Sequence, residues 1–201
     1  MKKFDRLPPE ARKQEIQAAA LKLFSEKGFA STTMENIVEQ VSLSKGGVYR
    51  LYSSTSAILS DLMLSGMHLR NAYYEGRVQQ EIAAGRELSL PFLVEIIGDS
   101  MLLYPEISTV YVEFLWEKQR SRKLETLYQE ICRTTVEETL TLIRHYGAES
   151  LLLDGKDTLV RLTEIMNATI LSLRVLGMQQ EFRRRKAQIC SAITQILLQE
   201  Q

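Results

Sequence analysis

Apolar residues recur along this chain at helical spacing, three or four apart, and alternating strand-like runs bounded by Asn-Gly or Asp-Gly turns are absent. Ile16, Ala19, Ala20, Leu23 and Phe24 share one face of a first helix, which follows Pro8 and Pro9, residues suited to a helix start. Gly28 supplies the left-handed residue that stops it, and Phe29 then folds back. Thr32 and Thr33 offer a hydroxyl cap to a short second helix carrying Met34, Ile37, Val38 and Val41. After a tight turn at Ser42 and Leu43, Ser44 caps a very short third helix with Val48, Tyr49 and Leu51. Two short helices joined by a turn of about three residues and braced by a longer one make a helix-turn-helix headpiece.

The pattern then lengthens. A long helix is expected from Ser54 and Thr55 to about Ala84, with Ile58, Leu59, Leu62, Met63 and Leu69 on it and Gly85 at its end. Ser89 caps the next, which carries Phe92, Leu93, Ile96, Ile97 and Met101 and stops at Tyr104, because Pro105 disfavours helical backbone in the residue before it. Ile107, Val110, Tyr111, Phe114, Leu115 and Trp116 mark another, and a further helix spans about Ser121 to Tyr146. The last two run from about Asp157 to Gly177 and from about Gln179 onward. Their apolar stripes demand helix-on-helix packing, inside the domain or across a two-fold axis. Leu159, Leu162, Met166, Ile170, Leu173, Ile189, Ile193 and Ile196 are the candidate dimer-interface residues. The fold class is all-α, divided at 1–53 for the headpiece and 54–201 for the larger helical domain.

Composition narrows the reading without naming a function. Of 201 residues, 45% are hydrophobic and 25% charged, which suits a globular chain able to bury a core. The longest charge-free stretch, 187–199, is too short and too polar to span a bilayer, so no membrane role is expected. The opening lysines lead into Phe4, Asp5 and Arg6 rather than an apolar run, so no secretory leader is expected and a cytoplasmic location is. Cys132 and Cys190 form neither a disulfide framework nor a CxxC pair, and no metal or cofactor is expected. Charge is zero overall, but residues 1–60 hold nine basic and six acidic residues. That surplus of three matters only beside a motif in the same segment.

Such a motif is present. The segment from Ile16 to Phe24, then Glu26, Lys27, Gly28, Phe29, Thr32, Thr33 and Ile37, resembles the TetR family of bacterial transcriptional regulators. Ser44, Lys45, Gly46, Gly47, Val48, Tyr49, Arg50, Leu51 and Tyr52 resemble that family's recognition-helix signature. The resemblance covers about residues 12–59 and implies a homodimer that binds a near-palindromic DNA operator and is released by a small-molecule effector. Several positions depart from the family: Val41 and Ser42 at the turn, Gly47, Leu51, and Thr55 and Ser56 where a lysine and an acid are usual. They keep open an alternative, a family-fold protein that has lost its operator and acts through a protein partner.

The chemistry of the residues agrees with DNA contact. Gly46 and Gly47 let a helix start approach a duplex closely, and its amides favour anions. Lys45 can reach phosphate, Tyr49 and Tyr52 can donate hydroxyls to phosphate, and Arg50 can read guanine in the major groove. Thr32, Thr33 and Ser44 complete the candidate DNA-binding set. In the larger domain Met101, Tyr104, Tyr111, Phe114, Trp116, Tyr128 and Met166 are the candidate lining of an effector pocket. With only His68 and His145, and no HExxH, GxSxG or glycine-rich phosphate loop, catalysis is not expected. The run from Arg183 to Lys186 reads as a solvated helix face, with Glu181 as local partner.

Overall fold

A computed structural model describes residues 8–152 and 155–199 of the chain. Among these the elements are α1 (Pro9–Lys27), α2 (Met34–Val38), α3 (Lys45–Leu51), α4 (Thr55–Ala83), α5 (Leu90–Leu103), α6 (Pro105–Glu117), α7 (Arg122–His145), α8 (Lys156–Val175) and α9 (Gln179–Gln199). Single 3-10 turns lie at Lys118–Arg120 and Glu149–Leu151, and no strand occurs among the described residues. The starts follow side-chain chemistry: the hydroxyls of Thr33, Ser44, Ser54, Ser89 and Ser121 each accept from a backbone amide three residues on. Such a cap is worth roughly 1 kcal/mol to its helix. Gly28 stops α1 at φ +84°, and Phe29 returns to meet Phe24 edge-on at 5.2 Å.

Two apolar cores stack along the molecule. The first joins Ile16, Ala20 and Phe24 of α1 to Met34, Ile37 and Val48, and continues past residue 53 into Ile58, Leu59 and Leu62 of α4, Val110 and Phe114 of α6, and Leu124 and Ile131 of α7. The headpiece is therefore welded to the lower half of the larger domain. The second core gathers α5, α8, α9 and the far halves of α4 and α7. Among the described residues no helix is long and apolar enough to cross a membrane.

The candidate dimer residues need correcting. Leu159, Leu162, Met166, Ile170 and Leu173 are all buried in their own chain's second core, and Ile189 and Ile193 pack against it. The main apolar stripe of an amphipathic helix is claimed first by its own core. What faces outward is a second set: Val160, Leu171, Val175, Leu176, Met178, Leu198 and, from the original set, Ile196 at 50% exposure.

Candidate nucleic-acid interface and adjoining cavity

The candidate face begins with one buried side chain. Val48, with no exposure, fixes α3 onto Ile37 and Phe24, and Ser44 Oγ accepts from Gly47 N at 3.2 Å. Anchored this way, α3 turns Lys45, Gly46, Tyr49 and Arg50 outward. A Cβ added at Gly46 would meet nothing within 4 Å, so no contact inside the chain requires glycine there. At Gly47 it would come to 3.4 Å from Leu43 Cδ2 and Ser44 Oγ, so that glycine serves packing. Arg50 shares a groove with Arg12 between α1 and α3.

The turn before α3 is held by ions rather than by a left-handed residue. Ser42 keeps negative φ; its amide donates to the Glu15 carboxylate, and Arg12 Nη1 donates to Ser42 Oγ at 2.9 Å and to Glu15 Oε2 at 3.2 Å. These bonds, those from Ser42 first, hold the Glu15 carboxyl below its ordinary value.

Glu35 of α2 was not legible as part of this face. Its Oε1 accepts from Lys45 Nζ at 3.0 Å and from the Tyr49 hydroxyl at 3.2 Å, while Lys45 lies 5.7 Å over the Tyr49 ring. Lys45 thus holds the Glu35 carboxyl below its usual value, and Glu35 raises the Lys45 ammonium in turn. Read in sequence, an acid in the first turn of a helix looks like a response to the helix dipole. Here it occupies the two donors expected to meet phosphate.

Two of the candidate DNA contacts face inward. Thr32 is buried, and its Oγ1 donates to Gly28 O at 2.9 Å, closing the bend after α1. Tyr52 is buried as well; its hydroxyl accepts from Gln17 Nε2 at 2.8 Å and donates to Asp61 Oδ2 at 2.9 Å. Burial pushes that phenol's pKa up, so it stays neutral and ties α3 to α1 and α4. As the C-cap of α3, it turns back where a phosphate contact would turn out. Thr33 stays exposed at the start of α2, in a reciprocal cap with Asn36 at 3.2 and 3.1 Å. Ser44, the cap of α3, is exposed too.

Below the headpiece a cavity of about 60 Å³ lies among α4, α5, α6, α7 and α8. Met101, Tyr104, Tyr111 and Met166 line it, joined by Met63, Gly66, Met67 and Arg70 of α4 and by Ile107 and Ser108 of α6. The α4 members sit three and four apart, a helical face that the sequence carried without showing what it would meet. Three candidates lie elsewhere. Phe114 fills the headpiece core with no exposure, and Trp116 is 60% exposed. Tyr128 sits outside the wall, linked through Asn167 (3.1 Å to Tyr128, 2.9 Å to Tyr111).

The two sites meet at α6. Its Ile107, Ser108 and Tyr111 face the cavity, while Val110 and Phe114 enter the headpiece core and Glu113 Oε2 accepts from Phe29 N at 3.3 Å. Helix α4 crosses close by: a Cβ on Gly66 would fall 2.9 Å from Ile107 Cγ2. The basic run on α9 is spent locally. Arg184 and Arg185 pair with Glu181 at 2.7 and 2.6 Å, and Lys186 bridges Asp99 and Glu95 at 2.6 and 3.3 Å.

Residues 16–62 match the family model described as bacterial regulatory proteins, tetR family. The chain is 40% identical over 122 residues to the HTH-type transcriptional regulator YfiR of Bacillus subtilis (strain 168), a match that spans 59% of each protein. Its fold is similar to that of Salmonella enterica GusR, with a TM-score of 0.73, 16% identity and 96% of each chain covered. It is also similar to a transcriptional regulator from Saccharomonospora viridis solved in complex with choline (TM-score 0.63, 15% identity, 94% of each chain). Over residues 16–62 the chain is thus similar to the tetR family of bacterial regulatory proteins, and its overall fold is similar to those of the two solved structures.

Proposed function

We propose that this protein is a DNA-binding transcriptional regulator of the bacterial cytoplasm that acts as a homodimer and releases its operator when a small molecule enters the cavity. The observation that carries the reading is α3: a helix start with Lys45, Tyr49 and Arg50 outward around Gly46, whose bare backbone has no internal use. Lys45, Tyr49, Thr33 and Ser44 face phosphates, and Arg50 faces a base edge. One headpiece offers few contacts, so two are needed, and paired copies read a near-palindrome. The outward apolar residues of α8 and α9, Leu171, Val175, Leu176 and Ile196, are the self-association face.

Release follows from α6, with α4 as the helix shared by both sites. An effector that swells the cavity pushes on Ile107 and Tyr111, and the far face of the same helix moves Phe114 and Glu113 against α1. The effector then favours a headpiece spacing that no longer fits the operator, a shift of populations set by its differential affinity. Choline in the Saccharomonospora viridis relative supports a small-molecule effector in this fold. Bound at a promoter, such a dimer excludes polymerase and represses.

Fluorescence anisotropy with the DNA upstream of the protein's own gene tests the reading. Specific retention that disappears in Arg50→Ala is expected; equal retention of scrambled DNA, or none at low ionic strength, would overturn it.

A further inference from the structure

Arg70 is the one charged residue in the cavity wall, which contains no Asp or Glu. One end of its guanidinium is used: Nη2 donates to Thr135 Oγ1 at 2.8 Å. Its Nε is shut off from solvent and has no hydrogen-bond partner, and no carboxylate pairs with Arg70 among the described residues. A buried donor left unmade is costly, and a guanidinium edge matches a planar carboxylate bidentately. Around it the wall is soft and apolar, with Met63, Met67, Met101 and Met166 contributing unbranched side chains that can repack. Hydroxyls stand near: Ser100 lines the cavity, 3.0 Å from the Tyr74 hydroxyl.

We propose that the cavity takes an apolar monocarboxylate, a single anionic head on a hydrocarbon body, with the head on Arg70 and the body among the methionines. This rests on reading the cavity as the effector site, and it names the class of effector. The sign of charge is the discriminating feature. A cation would meet Arg70 with no acid to offset it, whereas a neutral alcohol would fill the apolar part and leave the guanidinium without its counter-charge. At about 60 Å³ the cavity is smaller than the few hundred Å³ typical of ligand sites, so binding must open it. The seam that gives way is Gly66 against Ile107, where α4 leaves no room for a side chain beside α6.

Calorimetry on the full chain, without DNA, tests this with hexanoate, decanoate and tetradecanoate, with 1-decanol, and with decyltrimethylammonium, all below their aggregation concentrations. At least one carboxylate should bind, decanoate should exceed 1-decanol by roughly ten- to a hundredfold, and the ammonium should not compete. In Arg70→Met, decanoate should fall to the level of 1-decanol while 1-decanol binding persists, which shows the cavity intact. Arg70→Lys, which keeps the charge but loses Nε, should lie between. The inference is overturned if no carboxylate binds, if the wild type binds 1-decanol or the ammonium as tightly as decanoate, or if Arg70→Met keeps the preference. Should Arg70→Met not fold, the head-group ranking of the wild type decides. Because binding is read without DNA, a carboxylate that binds and leaves operator retention unchanged sinks the effector role and spares this inference.

Discussion

The headpiece face and the cavity are built in opposite ways. The face is local: Ser44 through Arg50 fold as one short helix, one buried valine anchors it, and the functional groups are what remains outside. The cavity is assembled from five helices and residues more than a hundred positions apart, and its character comes from what is missing, a counter-charge for Arg70. Local sites can be read from order and spacing. Non-local sites require the packing first. Helix α6 belongs to both, and substitutions along it separate the two kinds of site most sharply.

The largest effect should come from a pair of aromatic residues two positions apart. Phe114→Ala opens the shared core and should cost roughly 3–5 kcal/mol in chemical denaturation. Trp116→Ala, at an exposed position, should change stability by less than about 0.5 kcal/mol. Equal costs would mean that α6 does not join the two regions. Gly66→Ala comes next, because its methyl must displace Ile107; it should destabilise by roughly 1–3 kcal/mol and weaken operator binding without any effector. Unchanged operator affinity in a destabilised Gly66→Ala would disconnect the seam from the headpiece.

On the reading face, Arg50→Ala should weaken operator binding by roughly 1–3 kcal/mol and relax base choice at one position in a competition assay. Tyr52→Phe is its control: it loses the Gln17 and Asp61 hydrogen bonds, lowers stability by about 1 kcal/mol, and leaves the salt dependence of DNA binding alone. Glu35→Gln frees Lys45 and Tyr49 and should tighten operator binding about two- to fivefold in anisotropy, an effect shrinking as salt rises. Weaker binding instead would show that Glu35 positions Lys45 rather than competing with phosphate.

The smallest effect is one of pH. The Glu15 carboxyl is held below its ordinary value by Ser42, so its ionised form favours the fold. Its contribution is complete above the ordinary carboxylate range, near pH 4–5, and is lost as pH falls through the lowered value. Exchange protection of the Ser42 amide should therefore drop in acid, and Glu15→Gln should remove that dependence.

Much of this was written in the sequence, for specific reasons. Thr33, Ser44, Ser54, Ser89 and Ser121 announced five helix starts because a hydroxyl before an apolar period has one efficient use. Met101, Tyr104, Tyr111 and Met166 could be grouped by chemistry, yet Phe114 and Trp116 share that chemistry and differ only in helical phase relative to α1. The stripe of α8 was visible, but whether it met its own core or a second copy depended on how many helices covered it. Tyr52 and Thr32 look like phosphate donors until the fold turns them onto Gln17, Asp61 and Gly28. Arg70 had no signal, since a lone arginine on a long helix is ordinarily solvated.

The central claim is that paired copies of α3 bind duplex DNA through the Lys45 face. Anisotropy on the upstream fragment, repeated across salt, tests it most directly. Of the phosphate-facing residues only Lys45 carries charge, one per subunit and two in a dimer, so it supplies roughly −2 of the log–log slope. Lys45→Ala should flatten that slope by about two. A slope near zero, or one that Lys45→Ala leaves in place, would contradict the account.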